Sequence, residues 1–304
     1  MNKEEIKLNE SITNDRMKIY LDGESRLPTA TDVKFLNENL LVAAHRIAGK
    51  MYIFKKEEDK YKKIEEIKIK INNKEYLTEA FVIIENRIYL AGYSENLIIL
   101  EIEENTKLKI KELIKINNKG ILYHGIKDYN GKIYLTPSNN STRLEDNIIE
   151  YNPETKEIIK LPIGDISNKS RIKDILFINN ERVILPIVEK TTTNMLQKNH
   201  ISNGVICLFT FPEFRLLDKK AFNHIHFDLG TNNENRFYIT AHDKTGGYIY
   251  IGEVIEDKIE NIKKSEVEDF PHGIHYYENK LGYTSYGTSS VYIVNENDLL
   301  ARAK

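Results

Sequence analysis

The sequence predicts an all-β fold, a six-bladed β-propeller built from four-stranded antiparallel blades. Three observations lead to this prediction. A turn-and-strand unit recurs six times, the units follow one another at about 45–55 residues, and the apolar segments are short and rich in β-branched residues and tyrosine. No long segment has a helical period. We therefore expect residues 1–304 to form a single propeller domain.

Each repeated unit contains a turn of Glu, Asn or Gly that leads directly into a short apolar strand. Asn and Gly suit this position because a tight hairpin requires positive φ angles. The turns lie at Glu38-Asn39, Glu85-Asn86, Asn130-Gly131, Asn180-Glu181, Glu234-Asn235 and Glu278-Asn279. Their spacing is that of a four-stranded propeller blade.

The repeats also predict how the ring closes. They begin near Thr31, Glu79, His124, Lys173, His224 and His272. The sixth repeat has only three strands before the sequence reaches Lys304, so its outer strand must come from elsewhere. We expect the N-terminal segment to supply it, through residues 6–8 or residues 17–21. This closure joins the two ends of the chain and leaves no free sheet edge.

Composition excludes several classes of function. Charged residues make up 30% of the chain, but the net charge is only −2, so no basic surface is expected for nucleic acid or anionic membranes. No apolar run approaches the roughly 20 residues that cross a bilayer, and the first residues lack an apolar signal segment. The single cysteine, Cys207, lies in an apolar strand pattern that predicts a buried, unreactive thiol. These features favour a cytoplasmic protein without nucleic-acid or membrane partners.

The alignment of the repeats predicts where functional residues meet. In a propeller, the innermost strand of each blade begins near the central axis. The loop before this strand and the loop between the second and third strands open on the same face. Counting seven residues back from the turns places five residues at equivalent positions: Asp32, Glu79, His124, Asp174 and His272. In the fifth repeat the longer hairpin leaves two candidates, His224 and Asp228.

A ring of imidazoles and carboxylates can bind a divalent cation, because these groups are the usual ligands of zinc, manganese and iron. Oxygen-rich subsets suit calcium. The predicted metal ligands are His124, His224, His272, Glu79, Asp32 and Asp174. The alternative interpretation is a polar channel lining without a functional role.

The same ring can transfer protons, because histidine titrates near neutrality. We assign this role to His272, His124 and His242. The loops between the second and third strands predict further contacts with a substrate. These residues are His45, Arg46, Tyr93, Asp243 and Tyr286.

An insertion at residues 189–203 separates the second and third strands of the fourth repeat, on the same face as the ring. Long loops inside compact repeats are often functional. Two interpretations stay open, a lid over the channel and a plain loop excursion.

The six repeats, the recurring His-Gly-Ile at 124–126 and 272–274, and the mixed histidine and acidic axis resemble one group of propellers. This group contains the SMP-30/gluconolactonases, the NHL-repeat proteins and the streptogramin lyases. The resemblance covers most of the chain at the level of the fold, without signature strings specific to either enzyme family. The lactonases would imply an axial divalent metal and lactone hydrolysis. The lyases would imply metal-dependent ring opening with a histidine base.

Two functions therefore compete. The first is a metal-assisted hydrolase, lyase or isomerase that acts on a small polar substrate in the channel. The second is a non-catalytic propeller that binds a peptide, a glycan or a protein partner. Bound stoichiometric metal would distinguish the enzyme from the binding module.

Overall fold

A computed structural model describes residues 16–21, 29–92, 94–116, 122–138, 148–162, 170–189, 204–222, 225–232, 236–243, 246–267 and 270–304. These residues form six antiparallel blade sheets, and the inner strand of each blade contacts a neighbouring blade on either side, which closes the ring. The predicted six-bladed propeller is confirmed. No described helix is long and apolar enough to cross a membrane.

The first half of the ring contains three blades. Strand β1 (Arg16–Tyr20) comes before them. Blade one contains β2 (Ala30–Phe35), β3 (Leu40–His45), β4 (Lys50–Glu57) and β5 (Lys60–Lys68). A small hairpin follows, β6 (Lys70–Ile71) and β7 (Lys74–Glu75). Blade two contains β8 (Thr78–Ile84), β9 (Arg87–Gly92), β10 (Asn96–Ile102) and β11 (Leu108–Lys115). Blade three contains β12 (Leu122–Tyr129), β13 (Lys132–Ser138), β14 (Ile148–Tyr151) and β15 (Ile158–Leu161).

The second half contains the other three blades. In blade four the inner strand is split, so the blade contains β16 (Ser170–Ile172), β17 (Leu176–Asn179), β18 (Arg182–Glu189), β19 (Gly204–Thr210) and β20 (Leu216–Phe222). Blade five contains β21 (Ile225–Thr231), β22 (Arg236–His242), β23 (Gly247–Ile255) and β24 (Lys258–Val267). Blade six contains β25 (Pro271–Tyr277), β26 (Lys280–Ser285) and β27 (Ser290–Asn295). Helix α1 (Glu296–Arg302) ends the fold.

The hydrophobic core lies between blades rather than within them. Val42 and Ile53 of blade one, for example, pack in one cluster with Phe81 and Ile88 of blade two. Strands rich in β-branched and aromatic residues suit this arrangement, because both faces of each sheet are covered by a neighbour. Each blade therefore depends on the next for burial of its apolar side chains.

A β-bulge recurs near the start of the inner strand and positions the functional side chains. In blades one, two and three the ladder to the second strand skips Thr31, Glu79 and His124, respectively. In blade six it skips His272 and Gly273. A bulge redirects the side chain of the unpaired residue. The same irregularity thus places a different side chain at the axis in each of these blades.

The predicted N-terminal closure is confirmed. Strand β1 pairs antiparallel with β27, from Arg16 opposite Val294 to Tyr20 opposite Ser290, and completes blade six. The strand corresponds to the second candidate segment, residues 17–21, whereas residues 6–8 lie outside the described residues. Ile19 is buried in the core that blades one and six share. The two ends of the chain are thereby joined in one sheet.

Two details of the fold bear on other sequence predictions. Cys207 is buried in β19, as expected, while its low reactivity stays a prediction. The C-terminal helix was missed, because seven residues are too few to reveal a helical period. Its first residue, Glu296, accepts hydrogen bonds from Arg236 and Tyr238 of blade five. Residues 190–203 of the insertion lie outside the described residues.

The closure can be tested with one core substitution. Ile19→Ala removes a buried side chain that only the N-terminal strand contributes, so we expect the free energy of unfolding to fall by about 2–4 kcal/mol. Lys18→Ala in the same strand is the control, because Lys18 is only half-buried. Urea denaturation of both variants measures the difference. Equal losses would show that the strand does not contribute to the core.

Candidate functional site

Three side chains from three blades converge where the inner strands begin, which we call the upper end of the channel. Oε1 of Glu79 lies 3.3 Å from Nε2 of His124 and 3.6 Å from Nε2 of His272. The two imidazole rings stack with their centroids 5.2 Å apart. All three residues are buried. We call Glu79, His124 and His272 the upper cluster.

Backbone carbonyls fix the tautomer of both histidines. Nδ1 of His124 is 3.0 Å from the carbonyl oxygen of Lys173, and Nδ1 of His272 is 2.8 Å from that of Thr31. A carbonyl only accepts, so Nδ1 carries the hydrogen and Nε2 presents a lone pair. Burial lowers the pKa of His124 well below its usual value and the pKa of His272 to about 3. Both rings are therefore neutral at physiological pH.

Glu79 faces these lone pairs, and among the described residues no donor has hydrogen-bond geometry to its carboxylate, although Nη1 of Arg46 lies 3.2 Å from Oε2. Neither of its carboxylate oxygens accepts a hydrogen bond there, although the side chain is fully buried. Burial raises the pKa of Glu79, while the charges of Arg46 and Lys173 oppose this rise. Nitrogen lone pairs that face an oxygen at these distances repel it, unless a proton or a cation lies between them. The upper cluster is thus an acceptor-rich centre that requires a positive species.

Two cations border this cluster. Nη1 of Arg46 lies 3.2 Å from Oε2 of Glu79, so this predicted contact residue belongs to the site. Lys173 is buried in blade four, and its charge helps to lower the pKa of both histidines. In the sequence, Lys173 stands at the start of the fourth repeat, and no role in the site was predicted for it. Its position directly before Asp174 is the feature that could have indicated such a role.

The structure places Asp32 and Asp174, which were predicted among the metal ligands, outside the upper cluster. Oδ1 of Asp32 accepts from Nζ of Lys34 at 2.5 Å, and Oδ2 of Asp174 lies 2.8 Å from Nζ of Lys127. Both carboxylates therefore already have cationic partners. They form a second layer of the channel, one residue further along the inner strands than Glu79.

The error in register has a physical cause in each hairpin. Four residues separate β2 from β3, whereas two separate β8 from β9, so a fixed count back from the turn stops one residue short in blade one. In blade four the register shifts between Phe177 and Asn179 and adds a residue on that side. The true equivalents of Glu79 are Thr31 and Lys173.

Asp228 belongs to this second layer as well. Its Oδ1 accepts from Nζ of Lys127 at 2.8 Å, and its Oδ2 lies 3.9 Å from Nζ of Lys34. We call Asp32, Asp174, Asp228, Lys34 and Lys127 the Asp–Lys layer. Although burial raises the pKa of Asp228, Lys127 and Lys34 hold it well below its usual value. Burial raises the pKa of Asp174 well above its usual value. Asp174 and Asp228, which both lie against Lys127, therefore differ in how readily they ionise.

The three aspartates of this layer also connect blades. Each accepts a hydrogen bond from a backbone N–H of the next blade, at 2.9–3.0 Å. The donors are Phe81, Leu229 and Ile274, respectively. Such charge-assisted bonds are stronger than neutral ones. The layer therefore has a structural role at the axis.

Of the other predicted contact residues, Tyr286 lies against the upper cluster, with its ring 5.8 Å from that of His272. His45 instead connects blades one and six, because Nδ1 accepts from the Ala48 N–H and Nε2 lies 3.2 Å from Ser289 Oγ. It is fully buried, which places it in the framework rather than at a substrate surface.

His242 is the last residue of β22 and Asp243 follows it, and both lie outside the upper cluster. The ring of His242 packs on Phe270 with centroids 3.9 Å apart. Oδ1 of Asp243 accepts from the Gly246 N–H at 3.1 Å and closes a turn. Tyr93 and His224 lie outside the described residues.

Comparisons with known proteins establish the fold alone. No family model matches the chain, and no curated protein sequence matches it. The WD40 repeats of RRP9 are similar in structure, with a TM-score of 0.62, 10% identity, and coverage of 94% of this chain and 99% of that chain. Virginiamycin B lyase from Staphylococcus aureus gives a TM-score of 0.57 and 11% identity over 92% of this chain and 98% of that chain. A chain of a nidogen/laminin complex gives a TM-score of 0.58 and 15% identity over 87% of this chain and 91% of that chain. The expected fold-level resemblance to the streptogramin lyase group is confirmed, and because these neighbours include a lyase and WD40 repeats, the fold does not decide the function.

The close contact of blades at the axis can be tested at Gly125. A Cβ atom there would lie 2.6 Å from Cα of Asp174, so Gly125→Ala forces the inner strands of blades three and four apart. We expect a loss of about 1–3 kcal/mol in the free energy of unfolding. Gly246→Ala is the matched control, because no atom lies within 4 Å of its added Cβ. Chemical denaturation that gives equal midpoints for the two variants would contradict the contact.

Proposed function

We propose that the upper cluster binds a divalent transition metal through Nε2 of His124, Nε2 of His272 and Oε1 of Glu79. We further propose that this centre belongs to an enzyme acting on a small polar substrate in the channel. One observation carries the proposal. A fully buried carboxylate accepts no hydrogen bond from the described residues, while two imidazole lone pairs face it at 3.3 and 3.6 Å.

The donor set fits such an ion. With metal–ligand distances of about 2.1 Å, neighbouring ligand atoms of a tetrahedral site lie roughly 3.4 Å apart. The two measured separations are 3.3 and 3.6 Å, and all three donor atoms lie within 4.8 Å of one another. Hydrogen bonds from Nδ1 to backbone carbonyls are the usual outer support of metal-binding histidines. Two nitrogens and one oxygen suit zinc, manganese or iron.

The surrounding charges indicate the kind of substrate. A bound cation would polarise a substrate oxygen as a Lewis acid. Arg46 and Lys173 add positive charge beside the cluster, which favours an anionic oxygen or one that gains negative charge during the reaction. Tyr286 covers the ring of His272 and contributes a wall. These features support a metal-assisted hydrolase, lyase or isomerase.

The comparisons add limited support for an enzyme. One similar solved structure is a catalytically inactive histidine-to-alanine variant of virginiamycin B lyase with quinupristin, at a TM-score of 0.54 and 11% identity. In that protein the variant is inactive, and the fold is shared. By analogy, a histidine at the axis of this propeller is a reasonable candidate for a role in catalysis.

The competing function is a non-catalytic propeller that binds a peptide, a glycan or a protein partner. The cations next to the cluster favour this function over a metal centre, because Arg46 and Lys173 oppose the approach of a further cation. Glu79 would then hold a proton, in keeping with its raised pKa. Metal analysis distinguishes the two functions.

The metal proposal is tested by stoichiometry. We expect the full chain, after dialysis against Zn²⁺ or Mn²⁺ and removal of free ion, to retain one metal per chain by mass spectrometry. Glu79→Gln keeps the side-chain shape but removes the anionic ligand, and we expect it to lose most of the bound metal. Glu79 is preferred over the histidines, because a histidine variant would also lose a hydrogen bond to the backbone.

Glu150→Gln is the control for this experiment. Glu150 is also a buried carboxylate with a cationic partner, since Lys132 Nζ lies 2.5 Å from its Oε1, but it belongs to the third strand of blade three. We expect this variant to retain metal as the unmodified chain does. Absence of stoichiometric metal in the unmodified chain, or full retention by Glu79→Gln, would refute the metal centre and favour the binding module.

A further inference from the structure

A concave site separate from the upper cluster lies at the lower end of the channel, where the inner strands finish. It is a cavity of about 430 Å³ bordered by all six inner strands. This volume is typical of small-molecule pockets. Along β12, for example, the cavity begins at Lys127, three residues after His124 of the upper cluster, which is about 10 Å along a strand. The Asp–Lys layer lies between the two sites.

Two lysines, the buried Lys34 and the partly buried Lys127, form the floor of this cavity. Lys34 and Lys127 line it, whereas their partners Asp32, Asp174 and Asp228 lie behind them. An ammonium group has three hydrogens, and short contacts to these carboxylates account for one on Lys34 and two on Lys127. Although burial lowers the pKa of Lys127, Asp174 and Asp228 raise it above its usual value. Lys127 is therefore charged where it lines the cavity, and Lys34 forms an ion pair with Asp32.

His275 adds a third donor to the same floor. Its Nδ1 accepts the Phe35 N–H at 3.1 Å, so in the neutral ring the hydrogen is on Nε2. Burial and the charges of Lys34 and Lys127 lower its pKa to about 3, which keeps the ring neutral. All three polar groups at the floor are thus donors, and they match a ligand group that only accepts.

Aromatic rings form part of the wall. Tyr129 and Phe177 stack with centroids 4.3 Å apart and an interplanar angle of 5°. The hydroxyl of Tyr129 is bonded to Asn180 at 2.8 Å, and that of Tyr276 is bonded to Asn279 at 3.0 Å. These bonds hold the phenol groups at the rim. The remaining wall includes apolar side chains such as Leu176, so a flat apolar body fits between rim and floor.

We propose that the lower cavity binds a small monocarboxylate with a flat apolar or aromatic body, its carboxylate against Lys34, Lys127 and His275. A hydroxylated neutral ligand matches the floor less well, because Lys34, Lys127 and His275 offer its hydroxyl hydrogens donors rather than acceptors. The lining also includes Asp128 and Thr231, whose side-chain oxygens can accept. A dianion such as phosphate is disfavoured, because the three aspartates already balance the charge of the two lysines. This site is separate from the upper cluster and does not depend on the metal proposal.

Benzoate is the probe, and benzyl alcohol is its uncharged counterpart. In calorimetric titrations of the full chain with a chelator present, we expect benzoate to bind at least 10-fold more tightly than benzyl alcohol. Lys34→Gln keeps a donor for Asp32 but removes the charge. It should weaken the binding of benzoate at least 10-fold and have little effect on the binding of benzyl alcohol. Equal binding of the two probes, or no benzoate binding at millimolar concentration, would overturn the proposal.

A cavity-filling variant tests the location. The nearest atom to a Cβ added at Gly230, on the cavity wall, is 3.5 Å away, so Gly230→Leu fills the cavity without a backbone clash. We expect Gly230→Leu to abolish benzoate binding. Gly246→Leu, in an open turn after β22, is the control and should bind benzoate as tightly as the unmodified chain does. Retained binding in Gly230→Leu would overturn the assignment. If Gly230→Leu does not fold, the Lys34→Gln comparison decides.

The same titration separates this proposal from the metal centre. A carboxylate could also bind a metal ion at the upper cluster. Benzoate binding that disappears with chelator or in Glu79→Gln would place the anion there and would overturn the lower site. Binding that survives both treatments supports the lower site, even if the upper cluster proves free of metal.

Discussion

The close approach of neighbouring inner strands at the axis is the constraint on which the rest of this structure depends. Each blade covers its apolar faces with the blades beside it, so the six inner strands must meet around a narrow channel. Gly273 has no room for a side chain, because an added Cβ would lie 2.5 Å from Cα of Asp32. The aspartates of the Asp–Lys layer connect blades across the same contacts. Charged side chains can occupy the layer because lysines and backbone N–H groups pair with their carboxylates, although Oδ1 of Asp174 accepts no hydrogen bond from the described residues.

This packing gives the two ends of the channel opposite chemical character. At the upper end, the bulged residues present a carboxylate and two imidazole lone pairs, with cations behind them. At the lower end, two ammonium groups and an imidazole N–H face the cavity, with carboxylates behind them. The Asp–Lys layer supplies the lysines of the lower end and separates it from the upper cluster. One buried charge network therefore underlies both proposed sites.

Local sequence patterns predicted most of the fold but only some of the residues in the sites. The repeated turns predicted six blades, and the three-stranded last repeat predicted closure by the N-terminal strand. The convergence of Glu79, His124 and His272 also followed from alignment, because their hairpins have the same length. Asp32 and Asp174 were misplaced by one residue, since hairpin length and a bulge shift the register in their blades. Lys173 was missed for the same reason.

The sequence by itself determined the all-β class, the number of blades and the types of side chain at the axis. These depend on turn chemistry and on strand-forming segments, which are local properties. Only the tertiary structure decided which carboxylates are paired with lysines and which one faces imidazole lone pairs. It also decided the tautomers of His124 and His272, and that Lys34, Lys127 and His275 border one cavity. These outcomes depend on contacts between residues some 50 to 240 positions apart in the chain, such as His272 with Thr31, and no local pattern encodes such distances.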